Sequence, residues 1–190
     1  YAYTFHDDEA KYFQGAGLAK GTPDSETDPE VGIYLNEQNP SKLGWYIDRK
    51  AQITKTGQNA DGSKTYHVTY TLTNTLTSSE MATCTGYILG GEQAGVTGKP
   101  VAAPGTSAQR MLFYAPKGGS ISEITSSGDV RDKSNAVMDD QKLVTNVAYI
   151  APGESVTFDF DVTTSPKAES DLTIDQTPSG KVTNEVNYQY

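Results

Sequence analysis

Two stretches of the chain alternate apolar and polar residues almost without interruption. From Thr65 to Thr73, Tyr66, Val68, Tyr70 and Leu72 share one face of an extended backbone, and Thr65, His67, Thr69, Thr71 and Thr73 share the other. From Glu154 to Thr163, Val156, Phe158, Phe160 and Val162 alternate with Ser155, Thr157, Asp159 and Asp161. A period of two buries one face of a strand and wets the other, which predicts half-solvated strands of an antiparallel sheet. The same reading places strands at 31–35, 45–53, 65–74, 84–89, 109–115, 121–125, 143–150, 155–163, 171–174 and 182–190. Turn chemistry separates them, as at Asn59-Ala60-Asp61-Gly62, Pro116-Lys117-Gly118-Gly119, Ser127-Gly128-Asp129, Pro152-Gly153 and Pro178-Ser179-Gly180. The Asp-Gly tip predicts a long hairpin between Ile53 and Thr65, and the Gly-, Pro- and Ala-rich stretch 90–106 an extended surface loop. Regularly spaced strands without intervening helices predict an all-β fold, an antiparallel immunoglobulin-like β-sandwich.

The opening differs. Thr4 followed three residues later by Asp7 is a variant of the capping box, and Asp7, Asp8 and Glu9 favour the positive end of a helix dipole. Ala10, Phe13 and Ala16 fall on one side, and Gly15 and Gly17 end the short N-terminal helix. The expected organisation is therefore a helix and acidic linker over 1–30 and a β-sandwich domain over 31–190.

Composition narrows the picture. With 190 residues the chain suits one domain that buries roughly 70% of its unfolded-chain surface. Only 35% of residues are hydrophobic, which fits two sheets sharing a thin core. A net charge of −9 and a pI near 4.6 exclude general electrostatic affinity for nucleic acid or anionic membrane. No apolar run approaches the roughly 18 residues of a membrane span, so no direct membrane insertion of this segment is expected. The chain opens at Tyr1 without an initiator Met or signal peptide, which suggests a segment of a longer polypeptide whose upstream region is its first partner. Its one cysteine, Cys84, forms no internal disulfide; that usage suits Gram-positive surface domains. No histidine lies near Cys84 in sequence, so a structural thiol is expected rather than a nucleophile.

Val31-Gly-Ile-Tyr-Leu-Asn36, then Ser41-Lys42-Leu43-Gly-Trp-Tyr46-Ile-Asp48, carries a family likeness. It resembles the C-terminal part of the uncharacterised, mostly actinobacterial cell-envelope family catalogued as domain of unknown function 4012. That family has a short strand ending in Asn, a Ser-Lys turn and a Tyr-x-Asp strand at this spacing. The opening from Thr4 to Gly21, Thr69-Tyr-Thr-Leu-Thr-Asn-Thr75 and Ala151-Pro-Gly-Glu-Ser155 recur in similar order. The resemblance implies an anchored or exported protein with a larger region before this segment, and carries over no catalytic residue. Here Asn39-Pro40 precedes Ser41 where a Gly-containing turn is more usual.

Candidate chemistry is sparse. The acids Asp24, Glu26, Asp28 and Glu30 lack the EF-hand spacing with its Gly and terminal Glu, and read as a solvated linker rather than a calcium site. Asp159 and Asp161 share the wet face of their strand as solubilising residues. His6 and His67 are the only histidines, and one Cys with two distant His builds no zinc site; there is no P-loop and no dinucleotide fingerprint. His67 is expected to bond water or a cross-strand Thr. No metal or cofactor is predicted, and no enzyme activity.

One polar block invites a functional reading. Trp45, Ile47, Ala51 and Ile53 are expected on one strand face, and Tyr46, Asp48 and Lys50 on the other. Asn36, Lys42, Tyr46 and Asp48 then form a polar site facing a partner or the upstream region, or else they satisfy backbone groups in the connecting turn. Among the twelve tyrosines, Tyr66 and Tyr70 are assigned to core faces; exposed ones can stack on sugars. An isopeptide crosslink of surface Ig-like domains would draw on Lys50, Asn74 or Asn146. The leading expectation is a non-catalytic extracytoplasmic domain at the cell surface or envelope that supports or presents its neighbours, with an envelope glycan or a surface protein as further partner. The alternative is a glycan-binding module for envelope polysaccharide.

Overall fold

A computed structural model describes residues 4, 6–16, 21–90, 101–138 and 141–190. In chain order its elements are α1 (Asp7–Gly15), β1 (Glu30–Glu37), a 3-10 turn (Leu43–Tyr46), β2 (Ile47–Gln58), β3 (Lys64–Asn74), α2 (Ser78–Thr83) and α3 (Gly86–Leu89). They continue with β4 (Ser107–Tyr114), β5 (Ser120–Ile121), β6 (Thr125–Ser126), β7 (Asp129–Met138), β8 (Gln141–Ile150), β9 (Ser155–Thr163), β10 (Thr173–Gln176) and β11 (Glu185–Gln189). One sheet runs β10-β1-β4-β8-β7; the other runs β11-β2-β3-β9-β5, with β6 also on β9.

The two alternating stretches are neighbours, with Val68 opposite Phe160 and Tyr70 opposite Phe158. Their apolar faces are buried against Val31 and Ile33 of β1, Met111 and Phe113 of β4, and Ala148 and Ile150 of β8. The two sheets thus close over one apolar core. Phe113 of the first sheet meets Phe158 and Phe160 of the second edge-on, with ring centroids 5.2 and 5.5 Å apart. Each such pair contributes about 0.5–1.5 kcal/mol beyond area burial.

The sheets are mixed, not purely antiparallel. β10 runs parallel to β1, and β11 parallel to β2. A single crossover, residues 177–184, leaves the edge of the first sheet and joins the edge of the second. This places the last two strands beside the first two, in the same direction.

Several local expectations change. Residues 84–89 are not a strand: Thr77 accepts from Glu80 N at 3.2 Å and its own N–H reaches Glu80 Oε2 at 2.8 Å, a capping box that starts α2. Then α3 follows, so the chain after Val31 is not wholly β. Trp45 lies in the 3-10 turn, outside the period-two pattern, and is 68% exposed rather than inward. The expected strand 121–125 is two short pieces, β5 and β6, and β7 was not anticipated. Thr4 Oγ1 donates to Glu9 Oε2 at 2.7 Å and α1 begins at Asp7; the side chain of Asp7, the other half of the expected box, lies outside the described residues. Gly17 and most of the loop at 90–106 lie outside the described residues. No described helix is long and apolar enough to cross a membrane.

Candidate functional site

The four residues of the anticipated polar site do not converge. Asn36 lies on the face of β1 opposite Val31 and Ile33, and Asp48 on the face of β2 opposite Ile47 and Ala51. Those apolar faces meet in the core, so the polar faces point away from each other on opposite sides of the protein. Lys42 and Tyr46 lie in the connection that carries the chain from one sheet to the other, and Tyr46 and Asp48 both lie near Glu80, Asp48 through its partner Lys181.

That connection forms an end cap. The turn at Leu43–Tyr46 and the helices α2 and α3 meet over a second apolar cluster of Leu43, Leu76 and Leu89. Lys42 N donates to Ile88 O at 3.0 Å, fastening the turn to α3. The Tyr46 hydroxyl lies 3.7 Å from Cys84 Sγ; the neighbouring thiol, then partial burial, push the phenol above its ordinary range. Lys42 Nζ sits 5.3 Å from the centroid of the Tyr87 ring, a cation–π contact. Tyr87 is 61% exposed, so with Trp45 the cap presents two large aromatics beside Ser41 and Lys42. Gly44 and Trp45 share the 3-10 turn that precedes β2, which takes this ring out of the strand's alternation.

Asp48 belongs to a different assembly. Lys181 Nζ forms an ion pair with its Oδ1, and Thr183 Oγ1 donates to the same atom at 3.0 Å. Burial alone would raise this carboxyl, but the Lys181 and Thr183 bonds and the Lys181 and Lys50 charges hold it below its usual value. Beside it Arg49 is almost fully buried: its N–H donates to Asn184 Oδ1 at 3.0 Å and its guanidinium to Thr177 O. Farther along, Asp171 Oδ1 accepts from Lys55 Nζ and from the Tyr66 hydroxyl, each at 2.7 Å. Those two bonds, outweighing partial burial, hold the Asp171 carboxyl low. Tyr70 reaches from β3 to Gln176 of β10 at 2.8 Å. Of these carboxylates, Asp48 holds the C-terminal crossover, and Asp171 fastens the stretch before β10 to β2 and β3.

His67 sits between two acids, with Nδ1 2.9 Å from Asp161 Oδ1 and Nε2 3.6 Å from Asp159 Oδ1. Its ring is bonded to carboxylates, where water or a cross-strand threonine was expected, and all three side chains are at least 41% exposed on an open sheet face. The threonines pair instead with β9, Thr71 with Thr157 at 2.9 Å and Thr73 with Ser155 at 2.7 Å. In the acidic linker, Glu26 pairs with Lys167 at 2.6 Å while Asp28 accepts from Ser170 at 3.1 Å, so the run does not converge. Among the described residues no group of three or more His, Cys, Asp or Glu is placed to hold a metal ion. Lys50 lies on the outer face of its sheet, 3.5 Å from Glu185, whereas Asn74 and Asn146 are buried. Asn74 Nδ2 donates to Gly105 O and Ile150 O, and its Oδ1 accepts from Leu76 N.

No protein-family model matches the chain, and no curated protein does. A solved structure from Legionella pneumophila, described as a "putative nutrient binding protein", is similar over 73% of this chain at 13% identity, with a TM-score of 0.34. This chain spans 44% of that protein's length.

Proposed function

We propose that this chain is a non-catalytic, extracytoplasmic β-sandwich domain of a bacterial cell-surface or exported protein, immunoglobulin-like in kind, that supports or presents neighbouring domains. The resemblance of Asn36 to Asp48 to the cell-envelope family belongs to the same proposal. One observation carries it. The ion pairs of Asp48 and Asp171, with buried Arg49, tie the chain on either side of β10 to β2 instead of lining a reaction cleft. Such bonding suits a rigid support. Labelling intact cells with a membrane-impermeant amine reagent is the test: modification of exposed lysines such as Lys50 is expected, and full protection of the domain until lysis would refute a surface location.

The end cap favours a second reading, a glycan-binding module. Trp45 and Tyr87 are large exposed rings flanked by Lys42, the combination of apolar face and polar rim that sugars engage. Binding to isolated envelope polysaccharide should then drop in Trp45→Ala and Tyr87→Ala variants. Wild-type protein that ignores a broad glycan array removes this reading.

A further inference from the structure

The edge of the molecule away from the C-terminal crossover is open. In the first sheet β8 and β7 pair Val144 with Asn135 and Lys142 with Val137. Val144 packs on the core, so by the period of two Lys142, Asn135 and Val137 face inward with it, toward the second sheet. Opposite them that sheet supplies only the two residues of β5, held on β9 through Ser120–Thr163 and Ile121–Val162. Gly119 permits this approach, since a Cβ there would strike the Thr163 carbonyl. The inner face therefore runs past its cover, and Val137 is 68% exposed although it points to the core side.

The result is a half-open cleft of about 710 Å³, with Phe113, Val144 and Ile121 among its apolar walls and Ser120, Asn135 and Lys142 among its polar ones. Small-molecule sites typically measure about 300–1,000 Å³ and combine an apolar lining with a few polar groups. Lys142 is the cation among the lining residues, and it forms no ion pair with any described residue. An apolar trough beside an ammonium that no described residue pairs matches a ligand with a hydrocarbon body and an anionic head.

The geometry points to this cleft as a binding site for an amphiphilic carboxylate of the fatty-acid class, its chain laid on Ile121 and Val144 and its head at Lys142. This goes beyond the surface-domain reading and does not depend on it. Calorimetric titration of the purified full chain with dodecanoate, below its micellar concentration, tests it. Saturable one-to-one binding is expected. Asn135→Trp, a change at an exposed position that fills the mouth without touching the core, should abolish it. Lys142→Gln should weaken dodecanoate about tenfold through loss of a charge-assisted bond while leaving dodecanol unaffected. No saturable binding, binding that survives Asn135→Trp, or dodecanol held as tightly as dodecanoate each overturns the assignment. Self-association of the unliganded chain that Asn135→Trp removes would give the face to a second copy instead, and overturns it equally.

Discussion

The two long edges of the sandwich are finished in opposite ways. One is closed: β10 and β11 extend both sheets in parallel, Arg49 and Asp48 bind the segment joining them, Tyr70 bonds β10, and Tyr66 bonds Asp171 just before it. The other is left ajar, with a ten-residue strand, β7, facing strands of two residues. Both edges border the same aromatic core, so the difference lies in how the inner faces are covered. At the closed edge buried Arg49 and Tyr70 reach partners in the crossover and β10; at the open edge Asn135, Val137 and Lys142 face inward and meet water.

Phe113 joins the two regions, being part of the core and of the cleft wall, and gives the largest expected effect. Phe113→Ala should destabilise by about 3–5 kcal/mol in urea unfolding, the usual loss for a buried aromatic. A cost below about 1 kcal/mol would mean that the core around it is already wet at the open edge. Asp171→Ala comes next. It strands the buried Tyr66 hydroxyl and should cost about 1–3 kcal/mol, with hydrogen exchange rising first at β10 and β11 if the closed edge acts as a unit.

Acid should loosen the same edge. Asp171 and Asp48 have lowered folded-state values, so their contribution is complete above the unfolded carboxylate value of about 4 and is lost as pH falls through the lower folded values. The urea midpoint is expected to fall below about pH 4 in wild type, and to fall less in Asp171→Asn. An unchanged slope in that variant would assign the acid sensitivity elsewhere. Smallest is Val137→Ser at the open edge, expected within about 0.5 kcal/mol of wild type because the side chain is already solvated. A larger loss would show that this strand is covered in solution.

The sequence announced some of this well. β3 and β9 were plain because one face of each is buried and the other wet, which writes a period of two into residues 65–73 and 154–163. β7 was hidden for the opposite reason. Asp-Val-Arg-Asp-Lys-Ser-Asn-Ala-Val-Met is solvated on nearly every residue, so no alternation marks it, and only the β8 ladder holds it extended. The helices after Thr77 carried their signal in Thr-Ser-Ser-Glu80, but the short apolar run at Tyr87-Ile-Leu reads equally well as a strand. Asn36 and Asp48 looked like partners because they are near in sequence. Their separation depends on a chain that changes sheets between them, which local pattern does not encode. The parallel edges depend likewise on pairings such as Glu30 with Thr173.

Those distant pairings also set an order of events during synthesis. β1 and β2 leave the ribosome early, yet their outer partners, β10 and β11, follow more than a hundred residues later. Until then both early strands expose free backbone edges, a template for pairing with other chains. Contacts of such long sequence separation form slowly, because the intervening chain must first be gathered in. The closed edge is therefore both a securely bonded margin and the one whose outer strands emerge after all the other described strands.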